Sequence, residues 1–569
     1  MNRLNHRINI LRWVFNAIFV LLLMYVFWIQ VIKHRYYNEQ ALKQHCDSLP
    51  LSAERGKIYD CKNRLLAYNE RGFSVRVFPQ YVRSIDSVVE ILANYKLNSR
   101  DKLRNELKSQ TRLFWLTRFI DYEIGLKLQK DLVKHRFDNS VVVREAIKRI
   151  YPYGPVLGSV IGFTGVEGGL AGIEFAYDQY LKGKPGWEIL QKDALGNRYR
   201  WPSYRICKSI DGYDIVLTID LDIQQIAYQL LKKYVENLQA IKGSVIILNC
   251  EDGAVLALAD YPDFDPNDPY IYPREYWKAT AVTDEFEPGS VYKLMICATA
   301  VQSNQANNLL SQTYNTSSGY LTISGRKIKD VHNNGILNFE DIFVKSSNVG
   351  VSLLTTQLSP EEFYQTEKKF GFGTSIGIEL PGEAKGFIDR PEKLSPLRYA
   401  NNAFGQGVRV TLLQLATAYL AIANNGVLLK PYIIKTIIAH DNKIIYSGKK
   451  EIIRHVLSDE QSNIIKEILS KAVRNGTGRQ AMIPGYEVCG KTGTAQKLEP
   501  NGKYSNSKSI MTFIGFFPKE RPKYLIAVMI DEPQKFRFAG ETVCPLFRDL
   551  ATEILLLNKH YPFNLLTNL

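Results

Sequence analysis

From Trp13 to Ile32 the sequence WVFNAIFVLLLMYVFWIQVI carries no charged residue. At 1.5 Å per residue a helix of about 20 residues is roughly 30 Å long, the hydrocarbon thickness of a bilayer, so the run can cross a membrane once. Trp13, Tyr25 and Trp28 suit the interfacial regions, and no small-residue cleavage pattern follows. An uncleaved signal anchor is therefore expected rather than a removed signal peptide. Arg3, Arg7 and Arg12 precede the run while Lys33, Arg35 and Lys43 follow it, so flanking charge alone does not orient it. With a dozen residues before and more than 500 after, the expectation is a short cytoplasmic tail (1–12), a spanning helix (13–32) and a large exported body.

No second apolar run reaches the 18 or so residues a span needs, and a mean hydropathy of -0.17 excludes a polytopic membrane protein. The 569 residues are enough for about three or four units at roughly 150 residues each. Hydrophobic residues at 45% and charged residues at 23% exclude a disordered chain. The net charge of +15 suits a nucleic acid, an anionic membrane surface, an acidic substrate, or simply a Lys-rich composition. Seven cysteines without a Cys-x-x-Cys pair, and no His-Glu-x-x-His, suggest neither zinc nor redox chemistry. Most of them read as small buried hydrophobes, although Cys46 and Cys61 could pair in an oxidising compartment.

After Lys33 the chain divides in two. Residues 33–239 are turn-rich and mixed, with a strand-like run at Phe73–Phe78, a charged helical stretch at Arg100–Lys108 and the Gly-rich GFTGVEGGLAG. A second domain, 240–569, opens with SVIILN, the turn residues Glu251, Asp252 and Gly253, and AVLALA, a hairpin signature. YLIAVMI (524–530) reads as a buried strand near its end. Helical and strand patterns alternate irregularly between them, which predicts a mixed α/β architecture.

Three short signals in the second domain carry chemistry. Ser290-Val-Tyr-Lys293 is a Ser-x-x-Lys pattern, and decoys of it occur at Ser447–Lys450 and Ser505–Lys508. Only Ser290 follows a chain-breaking Pro288-Gly289 and leads into an apolar helix, YKLMICATAV. Three residues apart on a helix, Lys293 shares a face with the Ser290 hydroxyl and can take its proton if burial and neighbouring cations depress the amine's pKa. Ser346-Ser347-Asn348 offers a hydroxyl and an amide for proton relay and carbonyl binding. Lys491-Thr492-Gly493-Thr494 offers a cation, two hydroxyls and a glycine that lets another backbone approach closely, so it can receive a carboxylate.

In this order and with these gaps, the three signals resemble the active site of penicillin-binding serine acyltransferases. The resemblance extends to TDEFEPGSVYK, SSNVG, FGFG, ELPGE, FGQGVRVTLLQLA and FIGFFP, and in the first half to ERGKIYD, RIYPYG and GIEFAYDQYLKG. It covers nearly the whole chain and is closest to class B penicillin-binding proteins of the division-specific (septal) type, with elongation- or spore-specific relatives next. It implies a single N-terminal transmembrane helix, an elongated α+β pedestal of dimerisation-domain type, and a β-lactamase-like transpeptidase domain with an antiparallel sheet flanked by helices. It also implies Ser290, Lys293, Ser346, Asn348 and Lys491 as catalytic residues and Thr492, Gly493 and Thr494 as substrate-binding residues. The implied partners are stem peptides, with a D-Ala-D-Ala donor and an amine acceptor, β-lactams, the cytoplasmic membrane, a membrane-embedded glycan polymerase and other division proteins. No cofactor, metal or nucleic acid is implied. Around Arg55, Arg149 and Glu174 the residues alone predict bracing salt bridges and turns. Val291 and Tyr292 depart from the family's usual Thr and Phe or Val, and Tyr292 should alter packing beside Lys293. The Gly-x-Gly at 405–407 and the segment Cys544, Pro545, Phe547 also fit imperfectly.

Two other readings compete. Gly485 to Thr492 satisfies G-x-x-x-x-G-K-[ST], a phosphate loop, yet Tyr486, Val488 and Cys489 favour an extended strand. The other is a catalytically silent adaptor in a membrane complex.

Overall fold

The structure, a computed structural model, describes residues 2–51, 53–192, 198–200, 206–499 and 502–558. The chain forms two compact units, residues 1–55 with 182–212, and residues 56–181 with 213–569.

In the first unit the apolar run is helical, Asn2–Phe27 continuing as a π-turn over Trp28–Ile32. The stretch Asn5–Ile32 is long and apolar enough to cross a membrane, and none of its most apolar window is buried against protein. A helix at His34–His45 leads to the strand Cys46–Leu51, which pairs antiparallel with Gly186–Lys192. The side chain of Cys46 lies outside the described residues, and with it the pairing of Cys46 with Cys61.

The second unit is built around a five-stranded antiparallel sheet in the order Val255–Tyr261, Lys242–Asn249, Tyr524–Asp531, Tyr504–Phe517, Cys489–Leu498. SVIILN is apolar at every position but its ends because the sheet is covered on both faces. Val245 and Ile247 face the helices Leu221–Leu238 and Ala539–Leu557. Ile246 and Leu248 face the opposite way, into a larger core containing Lys293–Gln302 and Leu412–Ala423. YLIAVMI is the central strand for the same reason. The edge strand Cys489–Leu498 carries the Lys-Thr-Gly-Thr signal.

A second sheet joins parts of the sequence far apart: Ile444–Ser447, Ile434–Ile438, Asp214–Leu217, Ile58–Tyr59, Leu65–Val77 and Phe114–Asp121 lie side by side, with Val141–Ile150 also on Leu65–Val77. At its outer end Phe73, Val75 and Val77 form a small core with the helices Ile85–Asn94, Arg100–Ser109 and Tyr122–Lys134. Ser84 and Ser99 cap the first two of these helices. The charged stretch at 100–108 is helical, as its spacing predicts.

Candidate active site

Ser290 lies on a 3-10 turn, Gly289–Tyr292, which runs directly into the helix Lys293–Gln302. Sequence spacing predicts an α-helix here; the first turn is tighter. In a 3-10 turn residues i and i+3 eclipse, so Ser290 and Lys293 share a face more closely than α-helical geometry requires. Neither decoy opens a helix: Ser447–Lys450 starts on the last residue of the strand Ile444–Ser447 and leaves it, and Ser505–Lys508 lies within the strand Tyr504–Phe517, where a three-residue spacing puts side chains on opposite faces.

Two glycines let three backbones meet at the serine. A Cβ on Gly405 would lie 2.1 Å from the Gly289 carbonyl oxygen, and the Gly289 N–H donates to the Gly405 carbonyl at 3.0 Å. A Cβ on Gly493 would stand 2.3 Å from Thr512 Oγ1 and 2.8 Å from the Pro288 carbonyl oxygen. The edge strand therefore presses against the turn that carries Ser290. From behind, the Tyr419 hydroxyl donates to the Val291 carbonyl at 2.8 Å.

Lys293 is completely buried; its Nζ donates to the Ser346 carbonyl at 2.6 Å and lies 3.2 Å from Ser346 Oγ. Lys491, also buried, donates to the same Ser346 Oγ at 3.0 Å and to the Thr492 carbonyl at 3.2 Å. One hydroxyl thus joins two amines that have no ion-pair partner among the described residues. Burial drives the Lys293 amine well below the ordinary lysine range, the charge of Lys491 pushes the same way, and Asp330 opposes both. Burial brings Lys491 down to about 7, against a smaller opposing effect of Cys544.

Ser346 has a φ of +58°, a left-handed conformation that is costly for a residue with a Cβ. It is held there by the chain on both sides. The helix Phe339–Val344 ends two residues before it, and Ser347 caps the next helix, Asn348–Thr355, accepting from the Gly350 N–H. Asp330 pins this junction, accepting from Ser347 Oγ at 2.6 Å, the Asn348 N–H at 2.6 Å and the Val349 N–H at 2.9 Å. Asn348 Nδ2 donates to the Lys329 carbonyl at 3.2 Å. Sixteen positions before Ser346 and just past the strand Arg326–Lys329, Asp330 carries no spacing signal that sequence reading could use.

The predicted residues do not all point the same way. Thr492 is buried and shares a hydrogen bond with Thr477 Oγ1 at 2.5 Å, whereas Thr494 is exposed and its Oγ1 accepts from the Ala539 N–H at 3.4 Å. Lys491 sits within a strand, opposite Ile514, so no loop-to-helix turn exists to wrap a phosphate and the nucleotide reading fails. Outside the site, Asp60, Cys61 and Asp220 cluster closely enough to hold a cation. Arg64 and Lys62 already pair with these carboxylates, and burial raises the Cys61 thiol to about 11, so the donor set does not fit a metal.

Comparison with known proteins agrees with this geometry. A penicillin binding protein transpeptidase domain matches residues 243–552, and a penicillin-binding protein dimerisation domain matches residues 50–217. The probable peptidoglycan D,D-transpeptidase PenA of Neisseria meningitidis is 32% identical, covering 96% of this chain and 92% of its own. Stage V sporulation protein D of Bacillus subtilis is 32% identical over 89% of this chain and 79% of its own. Penicillin binding protein 3 of Mycobacterium tuberculosis, solved in complex with aztreonam, superposes with a TM-score of 0.69 at 26% identity, covering 90% of this chain and 97% of that one. With a buried lysine behind a turn-borne serine and two matched domains over most of its length, this chain belongs to the class B penicillin-binding proteins and is a serine-type peptidoglycan D,D-transpeptidase.

Proposed function

We propose that Ser290 is the acyl-accepting nucleophile of this transpeptidase and that it cross-links stem peptides at the division septum. The observation that carries the assignment is the pair of charge-depleted lysines meeting at Ser346 beside the Ser290 turn.

Lys293, uncharged, takes the Ser290 proton while the alkoxide attacks the penultimate carbonyl of a D-Ala-D-Ala donor. The oxyanion is received by the backbone N–H groups of Ser290 and Thr494, each such donor typically contributing about 2.7 to 4 kcal/mol. Ser346, bridging Lys293 and Lys491 and with Asn348 nearby, returns a proton to the departing D-Ala. Lys491 and the exposed Thr494 receive its terminal carboxylate, with Thr492 on the same edge strand held by Thr477, and Gly493 lets the ligand strand lie close. An amine from a neighbouring stem then attacks the ester and forms the cross-link. A β-lactam acylates Ser290 by the same path and is released slowly. Ser290→Ala should abolish covalent labelling by fluorescent penicillin; labelling that persists would refute the assignment.

In this reading residues 13–32 anchor the chain once in the cytoplasmic membrane, with residues 33–239 as pedestal and 240–569 as catalytic domain outside it. The pedestal docks to a membrane-embedded glycan polymerase and other division proteins. The septal role rests on the overall motif pattern, and the 32% identity to a sporulation protein supports a spore-specific role as the second reading. Depletion separates them: filamentous cells support the septal role, while spheres or a defect confined to spores would overturn it.

A further inference from the structure

The nucleophile turn is tied to the rest of the domain by a side chain that the chemistry above does not use. Tyr292, immediately before Lys293, is 1% exposed. Its ring packs edge-on against Phe372 at 5.0 Å between centroids, and its hydroxyl donates to Glu367 Oε1 at 2.7 Å. Glu367 lies on the helix Pro360–Lys369 and is itself 1% exposed, so two polar groups meet inside an otherwise apolar core with Phe363, Phe370 and Phe372. The charged and titratable groups facing Glu367 are Tyr292, Tyr399 and Asp389, and Asp389 is already taken by Arg398 and Asn402. No cation pairs with Glu367 among the described residues.

We infer that Glu367 is a positioning residue for Lys293: by accepting from the Tyr292 hydroxyl it fixes the turn that carries Ser290 and runs into Lys293. The inference rests on the assignment of Ser290 as nucleophile. Three ties hold this turn, at Gly289 N–H, at the Val291 carbonyl and at the Tyr292 hydroxyl, and only the last ends on a group that can change charge near physiological pH. Burial first, and then Asp389, push the Glu367 carboxyl up to about 8, while the Tyr292 hydrogen bond opposes them. Below that pH the site holds a neutral acid. Above it the carboxyl loses its proton, and a buried anion without a counter-charge must draw in water or move its helix, which shifts Tyr292. Since displacements near 1 Å at a reacting centre can cost about 100-fold, a small shift is enough to register in rate.

The test is the second-order rate of acylation by fluorescent penicillin, measured on the full chain in detergent from pH 6 to 9.5 and normalised to folded protein. The wild-type rate should fall as pH passes through about 8, and Glu367→Gln, which keeps an acceptor for Tyr292 but cannot ionise, should remove that alkaline fall. Glu367→Ala and Tyr292→Phe should each slow acylation about tenfold at pH 7, the rate equivalent of one buried hydrogen bond, and Glu367→Gln should restore most of the loss seen in Glu367→Ala. An alkaline limb unchanged in Glu367→Gln, or variants that lower thermal stability while acylating at the wild-type rate per folded molecule, would overturn the inference. If Ser290→Ala still labels, the nucleophile assignment fails instead, so the two failures are distinguishable.

Discussion

Two buried charge clusters in this protein are built in opposite ways. In one, Arg149 and Glu174 are almost wholly buried and paired: Arg149 Nε donates to Glu174 Oε1 at 2.8 Å, Arg149 Nη1 to Asn69 Oδ1 at 3.0 Å, and Tyr151 OH to Glu174 Oε1 at 3.4 Å. In the other, Lys293 and Lys491 are equally buried but share only neutral oxygens. A paired cluster braces the fold. Two amines with no ion-pair partner cannot both stay charged in a dry interior, so at least one gives up its proton, and the result is a base. The same burial yields a strut in one place and reactivity in the other, and the partner decides which.

Substitutions can break that contrast at several points. The largest expected effect is that of Ser290→Ala, complete loss of covalent labelling. Next, Lys293→Met, which matches volume without an amine, should slow acylation by about 1,000-fold while leaving the melting temperature unchanged or higher, because an uncompensated amine leaves the core. A melting temperature lowered as much as the rate would make Lys293 a strut after all. Gly493→Ala should slow acylation about 100-fold, since its Cβ would press on the Pro288 carbonyl and displace the serine turn. Glu174→Gln should show the reverse pattern: a loss of about 3 kcal/mol or more in stability, because Arg149 is left buried without its counter-charge, with the acylation rate per folded molecule within twofold of wild type. A comparable drop in rate would mean that the two clusters are coupled.

The sequence is informative where the physics is local. The hairpin at 242–261, the central strand at 524–531 and the helix after Ser290 are legible because burial on both faces leaves unbroken apolar runs between turn residues. The Ser290, Ser346 and Lys491 signals are legible because their chemistry needs particular side chains at short spacings. The bracing role expected around Arg149 and Glu174 follows from their charges, and the two residues do pair. What escapes is long-range. Ile58–Tyr59 and Asp214–Leu217 are two- and four-residue strands, and neither their pairing with each other nor that of Asp214–Leu217 with Ile434–Ile438 leaves a periodic trace. Asp330 pins the Ser346 junction across a gap of 16 positions, and Tyr419 reaches the Val291 carbonyl from 128 residues away. The sequence flags Tyr292 as unusual, but its partner Glu367, 75 positions on, sits in a stretch that reads as an ordinary surface helix.

The central claim, that burial without a counter-charge makes Lys293 a base, is tested most directly by the acylation rate of the full-length protein as pH is lowered from about 10, where an ordinary lysine begins to charge. A lysine whose pKa is depressed in the fold is neutral above that value and regains its proton below it, so any loss of rate on acidification should set in well below the ordinary lysine range, and Lys293→Met should show a low rate with no such loss. A wild-type rate that already falls in step with an ordinary lysine, about tenfold per pH unit from about pH 10 downward, would contradict the account.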